Sequence, residues 1–268
     1  MLASLITGPN RPRQWLCCCF LMLGLTGYTD AEPRQYTVVV QDIDYYPIYR
    51  ADPANNRYSG YMADLMEAFA DYADIEFTYH VRPIRRMTHE YTAGEYDFAI
   101  PDNPNWNRPE KRGISVTYTK PLLTFEDVIY VTAGKAHMAP DDMRDFGTID
   151  GFTPWKFQDR IDSGQVELKT ARRPSNLVRM ALAGRVETFN LAAPVAKHQF
   201  EVLNVGDRLV PAPRLMETRA SHYHLSTLGH PEIIAEFNQF LTNRQALVQS
   251  LQQQYGLEKP ATISQRTQ

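Results

Sequence analysis

The stretch from residue 97 to residue 122, DFAIPDNPNWNRPEKRGISVTYTKPL, begins with a short strand, DFAI, and runs into a polar loop. It then reaches a cationic cluster of Arg108, Lys111 and Arg112, and ends in an aromatic and threonine turn at Lys120 and Pro121. In open α/β sheets, ligands bind where loops leave the carboxyl ends of strands. Arginine suits such a loop because its planar fork of donors meets a carboxylate in two parallel hydrogen bonds. The stretch therefore reads as a strand that delivers a ligand-binding loop.

The segments before it supply the layer around that strand. Tyr36 to Val40 is an apolar run rich in β-branched residues, the pattern of a strand buried on both faces. Met62, Leu65, Met66, Phe69 and Tyr72 recur at helical spacing and predict one apolar stripe. Ile75, Phe77 and Tyr79 then alternate with polar residues, so strand, helix and strand make a parallel α/β unit. Residues 81–94 predict a second helix, with Ile84, Met87 and Tyr91 on its inner side and Gly94 at its end. Arg82, Arg85 and Arg86 crowd its entrance, which a solvated face accounts for.

After the loop, residues 128–131 are a buried-strand run, 141–145 a short helix and 146–152 a strand ending in a glycine turn. Ser175 is the expected cap of a helix whose inner face is Leu177, Val178, Ala181 and Leu182. Residues 223–226 form a returning strand, Pro231 opens a helix carrying Ile233, Ile234, Phe237, Phe240 and Leu241, and residues 243–255 make the last helix. The final residues look disordered. No serine elbow, phosphate loop or zinc-protease helix occurs in the chain. His222 and His224 share one face of a strand but lack a third ligand, so no metal and no cofactor is expected.

Arg11 and Arg13 precede an uncharged run, apolar from Trp15 to Leu25, with small residues near Ala31. This describes a secretory signal peptide, residues 1–31, and a periplasmic location; the run is short of the about 20 residues of a spanning helix. Cys17, Cys18 and Cys19, all three cysteines of the chain, lie inside it. The exported part therefore holds neither disulfides nor thiolate chemistry. With 28 Lys and Arg against 31 Asp and Glu, the net charge is −3, which gives no support to nucleic acid as a partner.

The order Gly94, Asp97, loop, Arg-Pro-Glu-Lys-Arg at 108–112, Tyr-Thr-Lys-Pro at 118–121 resembles the run of the family 3 bacterial solute-binding proteins. The turn at 41–48, the Gly-x-x-x-Asp-Leu opening at 60–65, the strand and glycine turn at 146–152 and the closing helix pair are similar to that family in order. The resemblance covers residues 36–257. It implies an α/β, two-lobed fold of the type II periplasmic-binding-protein kind, each lobe a mainly parallel sheet flanked by helices. Lobe 1 would be residues 32–130 with 222–268 and lobe 2 residues 131–221, joined by hinge crossovers near 128–132 and 219–223.

The same resemblance distributes roles. Counting back from Tyr118 puts Arg112 at the carboxylate-binding position; counting forward from Asp97 through a lengthened loop makes Arg108 the competitor. Asp42 and Tyr45 fall on the acidic and aromatic cleft positions, and Asp102 and Asn103 occupy the place of small ligand-binding hydroxyls. Thr153 would be the ligand-facing hydroxyl of lobe 2, and Arg86 matches a basic residue that faces the cleft in some members. Trp106 lies in the pocket or packs against the other lobe. Ala192 stands where amino-acid binders carry the aspartate that meets the ligand's ammonium, leaving Asp42, Asp102 or Glu187 to compensate.

The implied protein is a monomeric, non-catalytic receptor that closes around a small polar or anionic ligand, amino-acid-like or organic acid, for an ABC importer. Its partners would be that small molecule and an ABC transporter permease or a membrane sensor. Two alternatives share the fold: a sensory or degenerate partner protein, and a dehydratase-like enzyme using Asp102 or Glu187 as acid or base.

Overall fold

Two mixed sheets organise the chain. The computed structural model describes residues 33–215 and 221–258. The expected signal peptide, part of the second crossover and the tail after residue 258 lie outside these residues.

In the first lobe β1 (Arg34–Gln41) is followed by a small sheet of β2 (Asp44–Tyr45), β3 (Tyr49–Asp52) and β4 (Arg57–Ser59). Helix α1 (Tyr61–Ala73), β5 (Ile75–Arg82), α2 (Ile84–Thr92) and β6 (Phe98–Asp102) come next. The binding-loop stretch then carries β7 (Thr117–Tyr118) and β8 (Leu123–Phe125). The second lobe holds β9 (Asp127–Thr132), β10 (Asp145–Ile149), α3 (Gln158–Asp162), β11 (Glu167–Ala171), α4 (Pro174–Leu182), β12 (Thr188–Ala192), α5 (Ala193–Val202) and β13 (Leu209–Pro211). The chain returns through β14 (Ser221–Thr227) and closes with α6 (Pro231–Asn243) and α7 (Gln245–Gln254).

The first sheet runs β5-β1-β6-β14-β7, with β1 parallel to both neighbours and β14 antiparallel to β6. The second runs β11-β10-β12-β9-β13, with β10 parallel to both neighbours and β9 antiparallel to β12. Both parallel cores point their carboxyl ends at the interlobe crevice, the position at which open α/β sheets bind ligands. The chain leaves the first sheet at Phe125, which belongs to β8 paired with β14, and enters the second at Asp127. One residue, Glu126, separates the two, so the crossover forms the floor of the crevice.

Burial follows the sequence pattern. Val38, Val39 and Val40 are wholly inaccessible, as a strand covered on both faces requires. Met62, Leu65, Met66 and Phe69 turn inward from α1, and the Phe69 ring stacks on Phe237 of α6 at 4.2 Å. Tyr72 departs from the stripe: it is 37 % exposed at the rim, against Phe240 and Arg244. Helix α2 starts at Ile84 and not at residue 81, because extended Pro83 lets β5 run on to Arg82. Helix α4 starts at Pro174, ahead of Ser175, since the fixed φ of proline suits the first helical position. Gly60 admits no side chain: its φ is 95°, and a Cβ would lie 3.0 Å from the Tyr49 Cα.

Removing the Phe237 ring should therefore open a cavity in the α1–α6 contact. Phe237→Ala is expected to lower stability by about 3–5 kcal/mol, read as a melting temperature reduced by about 2–4 °C for each of those kcal/mol. An unchanged melt would mean that α6 is not packed on α1 as described.

Candidate functional site

The carboxyl end of β1, the β14 strand and the binding loop meet the start of β9, the end of β12 and the turn after β10 around an inner chamber. Gln41, Tyr45, Trp106, Phe125 and Tyr223 line it from the first lobe; Asp127, Phe152, Thr153, Trp155 and Asn190 line it from the second. It encloses about 40 Å³, room for about three waters at 10–15 Å³ each. It opens into a groove of about 1340 Å³ with which it shares Ile84, Asn107, Phe152, Thr153 and Trp155.

Six aromatic rings stand in the wall, those of Tyr45, Trp106, Phe125, Phe152, Trp155 and Tyr223. Trp106 and Phe152, one from each lobe, are nearly parallel, 16° between planes and 6.5 Å between centroids. Tyr45 meets Phe152 edge-on at 5.5 Å, Trp106 meets Tyr223 edge-on at 5.6 Å, and Tyr223 stacks on Phe125 at 4.2 Å. The Tyr45 hydroxyl accepts the backbone N–H of Ala192 at 3.0 Å, a hydrogen bond from one lobe to the other.

Among the described residues lining the chamber, Asp127 alone carries a formal charge. Its carboxylate accepts the Asn190 side-chain amide at 2.7 Å. The Lys156 ammonium sits over the Trp155 ring and 3.4 Å from the main-chain oxygen of Asp127. Burial raises the carboxyl pKa above its ordinary value, while Lys156 and the Asn190 hydrogen bond pull the other way. The Asn190 side-chain oxygen is buried without a hydrogen-bond partner among the described residues.

The residues singled out from the sequence divide by position. Tyr45, Trp106 and Thr153 line the chamber, Asn103 and Arg108 line the groove, and Arg112 and Asp42 are exposed and line neither. Arg108 donates to the side chain of Asn105. Arg86 is exposed on α2, paired with Glu90, whose pKa is lowered to about 2, first by that Arg86 hydrogen bond and further by Tyr96 and Arg82. Asn103 is buried and donates to the His222 carbonyl at 2.7 Å. Asp102 is buried in an ion pair with Lys111 at 2.6 Å and accepts the Ser226 hydroxyl at 2.7 Å. Lys111 also donates to the Asn103 carbonyl and the Tyr118 hydroxyl, so the loop's inward cation is fully engaged by the protein. Glu187 precedes β12, at the strand end away from the chamber, and pairs with Lys135. His222 and His224 bond Thr124 and the Thr119 carbonyl through their Nδ1 atoms.

Sequence reasoning did not find Asp127, Asn190, Phe152, Trp155 or Tyr223. The available signal was an acid placed immediately before the apolar run 128–131, at the expected crossover.

A family model described as bacterial extracellular solute-binding proteins, family 3, matches residues 37–258. No curated protein matches the chain. Among solved structures, it is similar to an ancestral arginine-binding protein bound to arginine, 16 % identical with a TM-score of 0.67, covering 84 % of this chain and 99 % of that one. A histidine kinase sensor domain with similarity to periplasmic binding proteins is 19 % identical with a TM-score of 0.68, covering 86 % and 100 %. An amino acid ABC transporter substrate-binding protein of Streptococcus pneumoniae bound to L-arginine is 15 % identical with a TM-score of 0.64, covering 84 % and 97 %. These likenesses establish a shared fold.

Two outcomes follow from the charges. Asp127 has a folded pKa above its unfolded value, so the fold binds its proton more tightly and loses stability as pH rises through the interval between the two. Lys156, Asn190, Tyr45, Tyr130 and Tyr223 are the groups that face it. Asp127→Asn is therefore expected to raise the melting temperature at pH 7 and to narrow its difference from the wild type as pH falls below the ordinary carboxylate range; a lower melt at pH 7 contradicts this. Lys111→Met strands a buried carboxylate and should cost about 3–5 kcal/mol, most of it recovered in the double variant Lys111→Met with Asp102→Asn. Denaturant midpoints measure both, and an unaffected single variant would contradict the pairing.

Proposed function

Since the chain belongs to the bacterial extracellular solute-binding proteins of family 3, we propose that it is an exported receptor that closes its two lobes around a small polar ligand and delivers it to an ABC importer. The observation that carries this reading is the chamber at the crossover, walled by side chains from both lobes. A ligand held there touches both sheets at once, and the free energy of those added contacts drives closure about the crossover strands. The Tyr45 to Ala192 hydrogen bond and the facing rings of Trp106 and Phe152 are contacts that hinge opening would break. The periplasmic location follows from the residue 1–31 leader as read from the sequence.

A sensory role is the second reading, favoured by the likeness to a histidine kinase sensor domain. In both roles the lobes bind a metabolite; they differ in what reads the closed form. Catalysis has no comparable support: the two acids considered for it are an internally paired Asp102 and a Glu187 remote from the chamber.

A thermal-shift screen of purified residues 32–268 against amino acids, amines, guanidines, di- and tricarboxylates and aromatic acids tests the receptor reading. A ligand present at 100 times its Kd adds about 2.7 kcal/mol, a rise of several degrees at this chain length. Trp106→Ala should abolish the shift while the unliganded protein still melts cooperatively. Silence from the entire panel would contradict small-molecule binding.

A further inference from the structure

We propose that the chamber recognises an organic cation that needs no carboxylate, its guanidinium or alkylammonium head seated against Asp127 between Trp106 and Phe152. This rests on the receptor reading and names the ligand class for the same site.

The argument begins with the charge the chamber presents. Asp127 is the one charged residue among its described lining, and within the protein its carboxylate is met by the single Asn190 amide donor. The neighbouring Asn190 Oδ1 is buried without a hydrogen-bond partner among the described residues, a second acceptor beside that carboxylate. A carboxylate guest would add a third acceptor and a second negative charge. A guanidinium brings several donors in one plane, and an ammonium brings up to three.

The walls select in the same direction. A cation over the face of an aromatic ring is stabilised by the ring's quadrupole, most strongly over tryptophan and more so where water is excluded. Trp106 and Phe152 approach from opposite lobes with an interplanar angle of 16° and 6.5 Å between centroids. The two nearly parallel rings mark where a planar cationic head would be held between the lobes as they close over it.

Among the described residues lining the chamber there is no lysine or arginine to hold a carboxylate. Lys111 is engaged by Asp102, the Asn103 carbonyl and Tyr118, and Arg108 stands in the outer groove. Lys156 acts on the Asp127 carboxylate through space, while its ammonium is directed to the main-chain oxygen of that residue at 3.4 Å. A cationic guest would take the place beside the carboxylate that Lys156 leaves free, and would be repelled by Lys156 itself.

Isothermal titration calorimetry on the purified protein with agmatine, arginine and glutarate tests this. The first two share a guanidinium and differ in the α-carboxylate. Agmatine is expected to bind at least as tightly as arginine, and glutarate not at all. Asp127→Asn should weaken agmatine by about tenfold or more, with far-UV circular dichroism unchanged, and Lys156→Met should tighten it. Arginine binding about tenfold tighter than agmatine would overturn the inference, as would agmatine affinity unchanged in Asp127→Asn. Glutarate binding unaffected by Asp127→Asn would overturn it while leaving the receptor reading standing; failure of all three probes together with silence in the wider screen would overturn both.

Discussion

An ammonium held 2.6 Å from a carboxylate, both nearly out of reach of water, sets the electrostatics of the cleft. Asp102 ends β6 and Lys111 lies within the loop that follows, and their pairing folds that loop back towards the strand, with Tyr118 and Ser226 joining the contact. A buried pair of this kind gives little net stability, but breaking it is expensive because the remaining charge has no solvent to turn to. The consequence is geometric: the loop that reads as cationic in the sequence presents no free cation to the chamber. Among the described residues, the charge that lines the chamber is then Asp127, on the opposite lobe.

That position couples recognition to movement. Asp127 is the first residue of β9, one residue beyond the strand that belongs to the first sheet. Ser221 and Tyr223, on the other crossing strand, flank the same space. A ligand bound there lies near the axis about which the lobes would turn, so it keeps contact with the floor throughout while the walls, Trp106 and Phe152, close over it. Binding energy gained only in the closed arrangement is what shifts the population towards it.

The fold was legible because its signals are local and repeated. The β-branched run at Tyr36 to Val40, the helical stripe from Met62 to Phe69 and the returning strand before Pro231 each imply burial that a single sheet-and-helix arrangement satisfies. Prolines moved two helix starts, Pro83 delaying α2 and Pro174 advancing α4, while the short helix expected at 141–145 gives way to β10 from Asp145 and the last helix starts at Gln245 instead of residue 243. The site was legible in part. Tyr45 in the short strand β2 just after β1, and Trp106 and Thr153 in the loops after β6 and β10, reach the chamber in a direction that follows from the strands before them. Which of Lys111, Arg108 and Arg112 turns inward depends on the path of a loop, and that path is fixed by contacts with Asp102 and Tyr118 that no spacing reveals. Asp127 was hidden for a related reason. It is the direct cross-strand partner of Ala192, where an acid was missed, and an antiparallel register places such partners about 5 Å apart on one face. The chain has its acid one strand over from the expected place, which only the pairing of β9 with β12 makes visible.

Two of the three tryptophans, Trp106 and Trp155, line the chamber, and the third, Trp15, lies in the segment expected to be the signal peptide. Intrinsic tryptophan emission of the chain from residue 32 onward is thus a direct report on the cleft, and its titration with small polar molecules is the most direct measurement to make. The account predicts a saturable change in emission with at least one small polar ligand, present in Trp155→Phe and lost in Trp106→Ala. Emission that no small molecule alters, while a protein partner does, would contradict the assignment of the cleft as a metabolite site.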